Sequence, residues 1–146
     1  MIGGCLVDVL MAHKGRNYNV YASGRNEERA GRRFLKYADD NSFHFVKYDV
    51  AHPLEYDVNF QYIIHAASGA YPEEFIKHPV EVIKGNINGV DNLMGYGIQH
   101  GIKRLLYISS GEVYGEGDGR VFTENYSGYV DCTSLRSCYP SSKRAA

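Results

Sequence analysis

The chain has 146 residues, one domain's worth, and its 44% hydrophobic and 23% charged content is ordinary for a globular protein, which sets aside a fibrous or disordered chain. A net charge of −1 gives no electrostatic footprint for nucleic acid or an anionic membrane, and no apolar run approaches the ~20 residues of a membrane span. Cys5, Cys132 and Cys138 lack zinc-like spacing and read as reduced thiols of a cytoplasmic protein, and the histidines do not cluster, so no metal is expected.

The first predicted element is a helix over Met1–Met11, with Ile2, Leu6, Val9 and Leu10 on one face. Gly15 and Asn17 end it, and a strand runs from Asn19 to Ser23. After the turn at Gly24-Arg25-Asn26, Asn26 is placed to cap a charged helix from Glu27 to about Tyr37, whose Arg29, Arg32, Arg33 and Lys36 read as a solvated face. Ser42–Lys47 and Gln61–His65 are further strands, the second ending in the small residues Ala66-Ala67-Ser68-Gly69. Pro79 to His100 is helical, with Val82, Ile83, Ile87, Val90, Leu93 and Met94 as its apolar stripe. Gly101 stops that helix, and Arg104-Leu105-Leu106-Tyr107-Ile108 forms a buried strand ending on Ser109 and Ser110. Glu116 to Ser137 is polar and loop-like, long enough to read as a functional loop, and a last helix starts near Tyr139. Strands alternating with helices predict a parallel α/β sheet in one unit over residues 1–146.

Chemistry in such a sheet collects outside the carboxyl ends of its strands. Ser110 stands at one of these, and Tyr139 and Lys143 follow at Tyr-x-x-x-Lys spacing. A phenol whose ionised form is favoured by a nearby ammonium can act as acid or base, and a serine can hydrogen-bond the same reacting oxygen. That set suits hydride movement between a sugar carbinol and a nicotinamide.

Taken in order, these segments resemble the extended short-chain dehydrogenase/reductase family, the NAD-dependent nucleotide-sugar epimerases and dehydratases. Met1-Ile2-Gly3 resembles the tail of its Gly-x-x-Gly-x-x-Gly dinucleotide loop, Asp49-Val50 its adenine-contacting pair, and His65-Ala66-Ala67-Ser68 the turn along the cofactor. Asn86-Ile87-Asn88-Gly89-Val90-Asp91-Asn92-Leu93 resembles its Asn-Val-x-Gly-Thr-x-Asn-Leu helix, and Ser109–Gly115 its Ser-Ser-x-x-Val-Tyr-Gly. Glu112 falls where sugar 4,6-dehydratases and UDP-glucuronate decarboxylases carry a glutamate. Arg136 to Arg144 is most similar to the decarboxylase branch, and Gly111 stands where 4,6-dehydratases place an aspartate.

The resemblance implies a Rossmann-like doubly wound parallel sheet that lacks its first strand and the C-terminal substrate-binding part. It implies catalysis by Ser110, Glu112, Tyr139 and Lys143 through a 4-keto sugar, with the decarboxylase or dehydratase branch favoured. It implies NAD held by Gly3, Arg25, Asp49, Val50, Ala66, Ala67, Ser68, Asn86, Ser109, Tyr139 and Lys143. A UDP- or dTDP-sugar substrate and a homodimer are implied as well.

Several residues carry a second reading. Arg25 could clasp the 2′-phosphate of NADP, stack on adenine, or be a solvated charge; Asp49 could cap a turn; Gly3 could be a helix-packing glycine; Glu112 could be a plain loop carboxylate. His65 reads as structural. The alternative for the whole chain is an inactive, truncated Rossmann module with a binding or interaction role.

Overall fold

A computed structural model describes residues 2–146; the chain divides after Asp49 into two units, the second being Val50–Ala146. The expectations placed on Met1 lie outside the described residues.

In the first unit, helix α1 (Ile2–Ala12) precedes strand β1 (Val20–Gly24), helix α2 (Glu27–Phe34) and strand β2 (Phe43–Lys47). Asn26 caps α2 as its sequence position predicts, its side-chain oxygen accepting from the Arg29 N–H at 2.8 Å. The helix then tightens into a 3₁₀ turn over Leu35–Tyr37. β1 and β2 pair in parallel from Val20↔Phe43 to Gly24↔Lys47.

Two expectations are corrected here. α1 buries Met11 and leaves Ile2 and Val9 exposed, because a short helix on a two-stranded sheet has only one narrow side to cover. The basic face of α2 is only partly solvated. Arg33 and Lys36, three residues apart and so on one side of the chain, both grip Asp8, Lys36 at 3.0 Å.

In the second unit, strand β3 (Tyr62–His65) is followed by helices α3 (Pro72–Lys77) and α4 (Pro79–Gln99), strand β4 (Arg104–Tyr107) and, after a long loop, helix α5 (Cys138–Ala145). β3 and β4 pair in parallel, from Tyr62↔Arg104 to His65↔Tyr107. Prolines at the starts of α3 and α4 sit where a missing N–H costs nothing. α4 ends at Gly101, whose φ of +70° is the left-handed geometry of a helix C-terminus, and the Ile102 N–H closes back on the Gly97 carbonyl at 2.8 Å.

The buried face of α4 is Val82, Asn86, Gly89, Leu93, Tyr96 and Gly97. That corrects the predicted stripe, since Ile83, Ile87 and Met94 are exposed. Small and polar residues take the inward positions because neighbours approach closely there. A side chain at Gly89 would meet His65 Nε2 at 2.9 Å and Val50 Cγ2 at 2.8 Å. The core beside α4 is Phe75, Val82, Cys138 and Tyr139. α3, which brings Phe75, is an element that the sequence pattern did not single out.

The strands are parallel and alternate with helices, as expected, but they form two pairs rather than one sheet.

Candidate active site

The site is built where β4 ends. The chain leaves the ladder at Tyr107 and passes through Ile108 and Ser109, and Ser110 caps a 3₁₀ turn over Gly111–Tyr114. The Ser110 hydroxyl oxygen accepts from the Glu112 N–H at 3.2 Å. α5 docks over this segment through two basic side chains. Lys143 Nζ donates to the Ile108 carbonyl at 2.9 Å, and Arg144 Nε donates to the Val113 carbonyl at 2.5 Å. Arg144 also reaches the Gly128 carbonyl at 2.9 Å, pinning the long loop to the same turn.

Lys143 is the unusual group. It is only 4% exposed, and no carboxylate pairs with it among the described residues. Its ammonium lies 4.3 Å from the centroid of the Tyr107 ring and 5.9 Å from that of Tyr139. Burial pulls its pKa down to about 8. His65, 2% exposed on the neighbouring strand, is pushed down to about 4, first by burial and then by the Lys143 charge. The pocket thus holds one cation rather than two at neutral pH.

Tyr139 is held by stacking. Its ring lies 4.7 Å from that of Phe75, at 21° between planes. The Arg136 guanidinium stands 5.5 Å from the centroid of the same Phe75 ring. Arg136 grips Glu112 through two parallel hydrogen bonds of 2.9 Å, a fork-to-carboxylate pair that raises the arginine's already high pKa. Glu112 is therefore tied to the segment leading into α5.

A second network fixes α5 from below. Ser68 Oγ donates to Asn86 Oδ1 at 2.8 Å, and Asn86 Nδ2 donates to Ser142 Oγ at 2.9 Å. Ser142 Oγ in turn donates to the carbonyls of Cys138 at 2.6 Å and Tyr139 at 3.1 Å. Asn86 is 1% exposed and both ends of its amide are engaged, so it links the turn after β3 to the backbone of Tyr139.

The remaining sequence-predicted residues fall as follows. Ala66, Ala67 and Ser68 form the irregular turn after β3, with Ala67 exposed. Ser109 is exposed between β4 and Ser110. Val50 is held against α4 by its carbonyl, which accepts from Asn92 at 2.9 Å. In the first unit, Gly3 lies in the opening turn of α1, and Arg25 stands 3.9 Å from Asp49. Ser110, Glu112, Tyr139, Lys143, Ser68 and Asn86 are thus joined by direct contacts or by one intervening side chain or backbone group. Ser142, Phe75 and Tyr107 were not singled out from sequence. Phe75 alone left a local signal, as the one aromatic in an otherwise charged helical turn.

The donor set fits the nicotinamide-ribose end of a dinucleotide. An ammonium has three hydrogens to donate, and Lys143 spends one on Ile108. The other two suit a pair of ribose hydroxyls.

A Tyr-x-x-x-Lys helix docked over the end of a parallel strand, beside a serine and a buried asparagine, is the arrangement of short-chain dehydrogenase/reductase enzymes. The sequence profile of the NAD dependent epimerase/dehydratase family matches residues 1–146, and the chain belongs to that family. It is similar to UDP-glucuronic acid decarboxylase 4 of Arabidopsis thaliana, 34% identical over 148 residues, which cover 99% of this chain and 31% of that protein. UDP-glucuronic acid decarboxylase 1 of Danio rerio is 31% identical over 147 residues, 99% of this chain and 33% of that protein. For UDP-glucuronic acid decarboxylase 6 of Arabidopsis thaliana the figures are 34% over 148 residues, 99% and 41%. The chain therefore spans about a third to two-fifths of the length of these relatives.

Proposed function

We propose that this chain is the NAD-binding, proton-transferring part of a nucleotide-sugar-modifying enzyme that works through a 4-keto sugar, on the decarboxylase branch, with UDP-glucuronic acid as substrate. The observation that carries the reading is the Lys143 ammonium, buried without a carboxylate partner within reach of Tyr139. Keeping a desolvated cation there costs stability, and a proton-transferring phenol is what would repay it. Bound NAD supplies the hydride acceptor. Tyr139, as the phenolate that the nearby Lys143 ammonium favours, takes the proton of the sugar 4-hydroxyl as that carbon gives up its hydride, and so becomes the neutral phenol; Lys143 also holds the nicotinamide ribose, and Ser110 hydrogen-bonds the reacting oxygen. Glu112, oriented by Arg136, faces the sugar, and its exposed carboxylate accepts from a sugar hydroxyl. Gly3, Arg25, Asp49, Val50, Ala66, Ala67 and Ser68 are proposed to line the rest of the dinucleotide. A cytoplasmic setting is proposed as well, from the odd number of cysteines without disulfide-like spacing. A second copy is proposed to cover the exposed Ile83, Ile87, Met94 and Ile98 of α4.

Native mass spectrometry of the chain with saturating NAD or NADP tests the reading. A retained NAD mass, followed by carbon dioxide release from UDP-glucuronic acid that Tyr139→Phe abolishes, is the expected result. A bare protein mass with both dinucleotides would overturn it for this chain.

A further inference from the structure

The mechanism above uses the Lys143 charge but leaves open what holds an uncompensated ammonium inside the protein. Three titratable side chains face it: His65 from β3, Tyr107 from β4 and Tyr139 from α5. Besides these, its one polar partner among the described residues is the Ile108 carbonyl. His65 repels it. Both rings lie within the ~6 Å over which the negative face of an aromatic ring attracts a cation, but the Tyr107 ring, at 4.3 Å against 5.9 Å for Tyr139, is much the nearer.

The hydroxyl of Tyr107 points to the same conclusion. It is buried and has no hydrogen-bond partner among the described residues. A buried phenol oxygen left unmatched costs stability. The ring, rather than the hydroxyl, is thus the part of this side chain that has a neighbour. Burial, with a smaller contribution from Tyr139, pushes the Tyr107 phenol up to about 12, so it stays neutral where the site works. His65 is neutral above about 4, so over the range where Lys143 titrates neither neighbour changes charge.

We propose that Tyr107 is a positioning residue of the site: its ring face seats the Lys143 ammonium beneath Tyr139 and keeps it from withdrawing to solvent. This rests on the functional reading for its purpose, though not for its measurement. Tyr107 touches neither reacting atoms nor cofactor in this role, and it acts through Lys143 alone. An aliphatic residue in its place would fill space without offering a seat, and a phenylalanine would keep the seat while relieving the orphaned hydroxyl.

The test is a pH titration of the Lys143 side chain by NMR in the 146-residue chain, with lysine labelled at Cε and the resonance assigned by its loss in Lys143→Met. Tyr107→Phe is expected to leave the Lys143 midpoint where the wild type has it. Tyr107→Leu is expected to lower it by about one pH unit, the size of a desolvated cation–π contact. Ring-fluorinated phenylalanines at position 107 weaken the aromatic face while keeping its shape, so they answer the question even if the leucine variant folds poorly. Their midpoints are expected to fall stepwise with fluorine number. A midpoint in Tyr107→Leu equal to the wild type's, or a fluorinated series without a trend, would overturn the proposal. The titration needs no NAD, so a chain that fails to bind the dinucleotide defeats the functional reading while leaving this result standing.

Discussion

Polar groups in Met1–Asp49 and in Val50–Ala146 are treated in opposite ways. In the first unit charges meet near the surface and stitch elements together. Asp8 of α1 is held by Arg33 and Lys36, and Arg16 ties the end of α1 to Asp40 before β2. The Arg33 guanidinium, and after it Lys36, keeps the Asp8 carboxyl well below the usual carboxylate range. The second unit has surface pairs too, Glu112 with Arg136 among them, but it also places polar groups inside. Asn86 is fully engaged, while Lys143 and His65 are buried without an opposite charge. Surface pairs of the first kind contribute little and fade with salt. Buried groups of the second kind are costly, which makes the second unit the one whose arrangement calls for a functional explanation.

The contrast can be broken most forcefully at Asn86. Asn86→Ala should destabilise the second unit by about 2–4 kcal/mol, the sum of a small cavity and two serine hydroxyls left to find new partners. Urea unfolding measures it, and a loss below about 0.5 kcal/mol would mean that the network is ornamental.

His65 comes next. Its folded pKa lies below its unfolded value of 6.5, so the unfolded chain binds the extra proton between the two. The stability it permits is complete above pH 6.5 and is lost as pH falls through about 4. The loss over that window is about 2–3 kcal/mol for this nearly inaccessible ring, and His65→Leu should flatten it in thermal melts recorded at stepped pH.

Lys143 sharpens the comparison in the other direction. Its folded pKa is also lowered, to about 8 against 10.5 unfolded, so stability rises with pH between those values. Lys143→Met should therefore be more stable than the wild type at pH 7, by about 1–3 kcal/mol, and lose the advantage as pH approaches 10.5. A destabilised methionine variant at neutral pH would show that the ammonium is structural rather than poised for chemistry.

The smallest effect belongs to Asp8. Asp8→Asn should lower the melting midpoint slightly in dilute buffer and not at all in molar salt. A large, salt-independent loss would erase the distinction between the two units.

What could be read from sequence divides along chain distance. The strand after Gln61, the Asn26 cap, the stop at Gly101 and the strand that delivers Ser110 are written in neighbouring residues, and the structure has them within a residue or two. The placement of Tyr139 and Lys143 on one helix followed from their four-residue spacing. What stayed hidden joins distant segments: Asn86 with Ser142, Glu112 with Arg136, Asp8 with Arg33, and Phe75 under Tyr139. Glu112 and Arg136 were each conspicuous, yet nothing local says that one will grip the other. The inward face of α4 was misjudged for a related reason. Hydrophobicity favours Ile83 and Ile87, but space beside His65 and Val50 admits only glycine at position 89.

The pairing of four strands into two separate ladders has a consequence for handling the protein. β1, β2, β3 and β4 each have a partner strand on one side only among the described residues. A row of backbone N–H and C=O groups without a neighbouring strand is a template, and another extended segment can add to it whatever its side chains. Concentrating the isolated chain is then expected to drive strand addition along such edges, seen as a mass that rises with concentration in light scattering. A short peptide that docks along such an edge would act as a solubiliser before it acted as anything else.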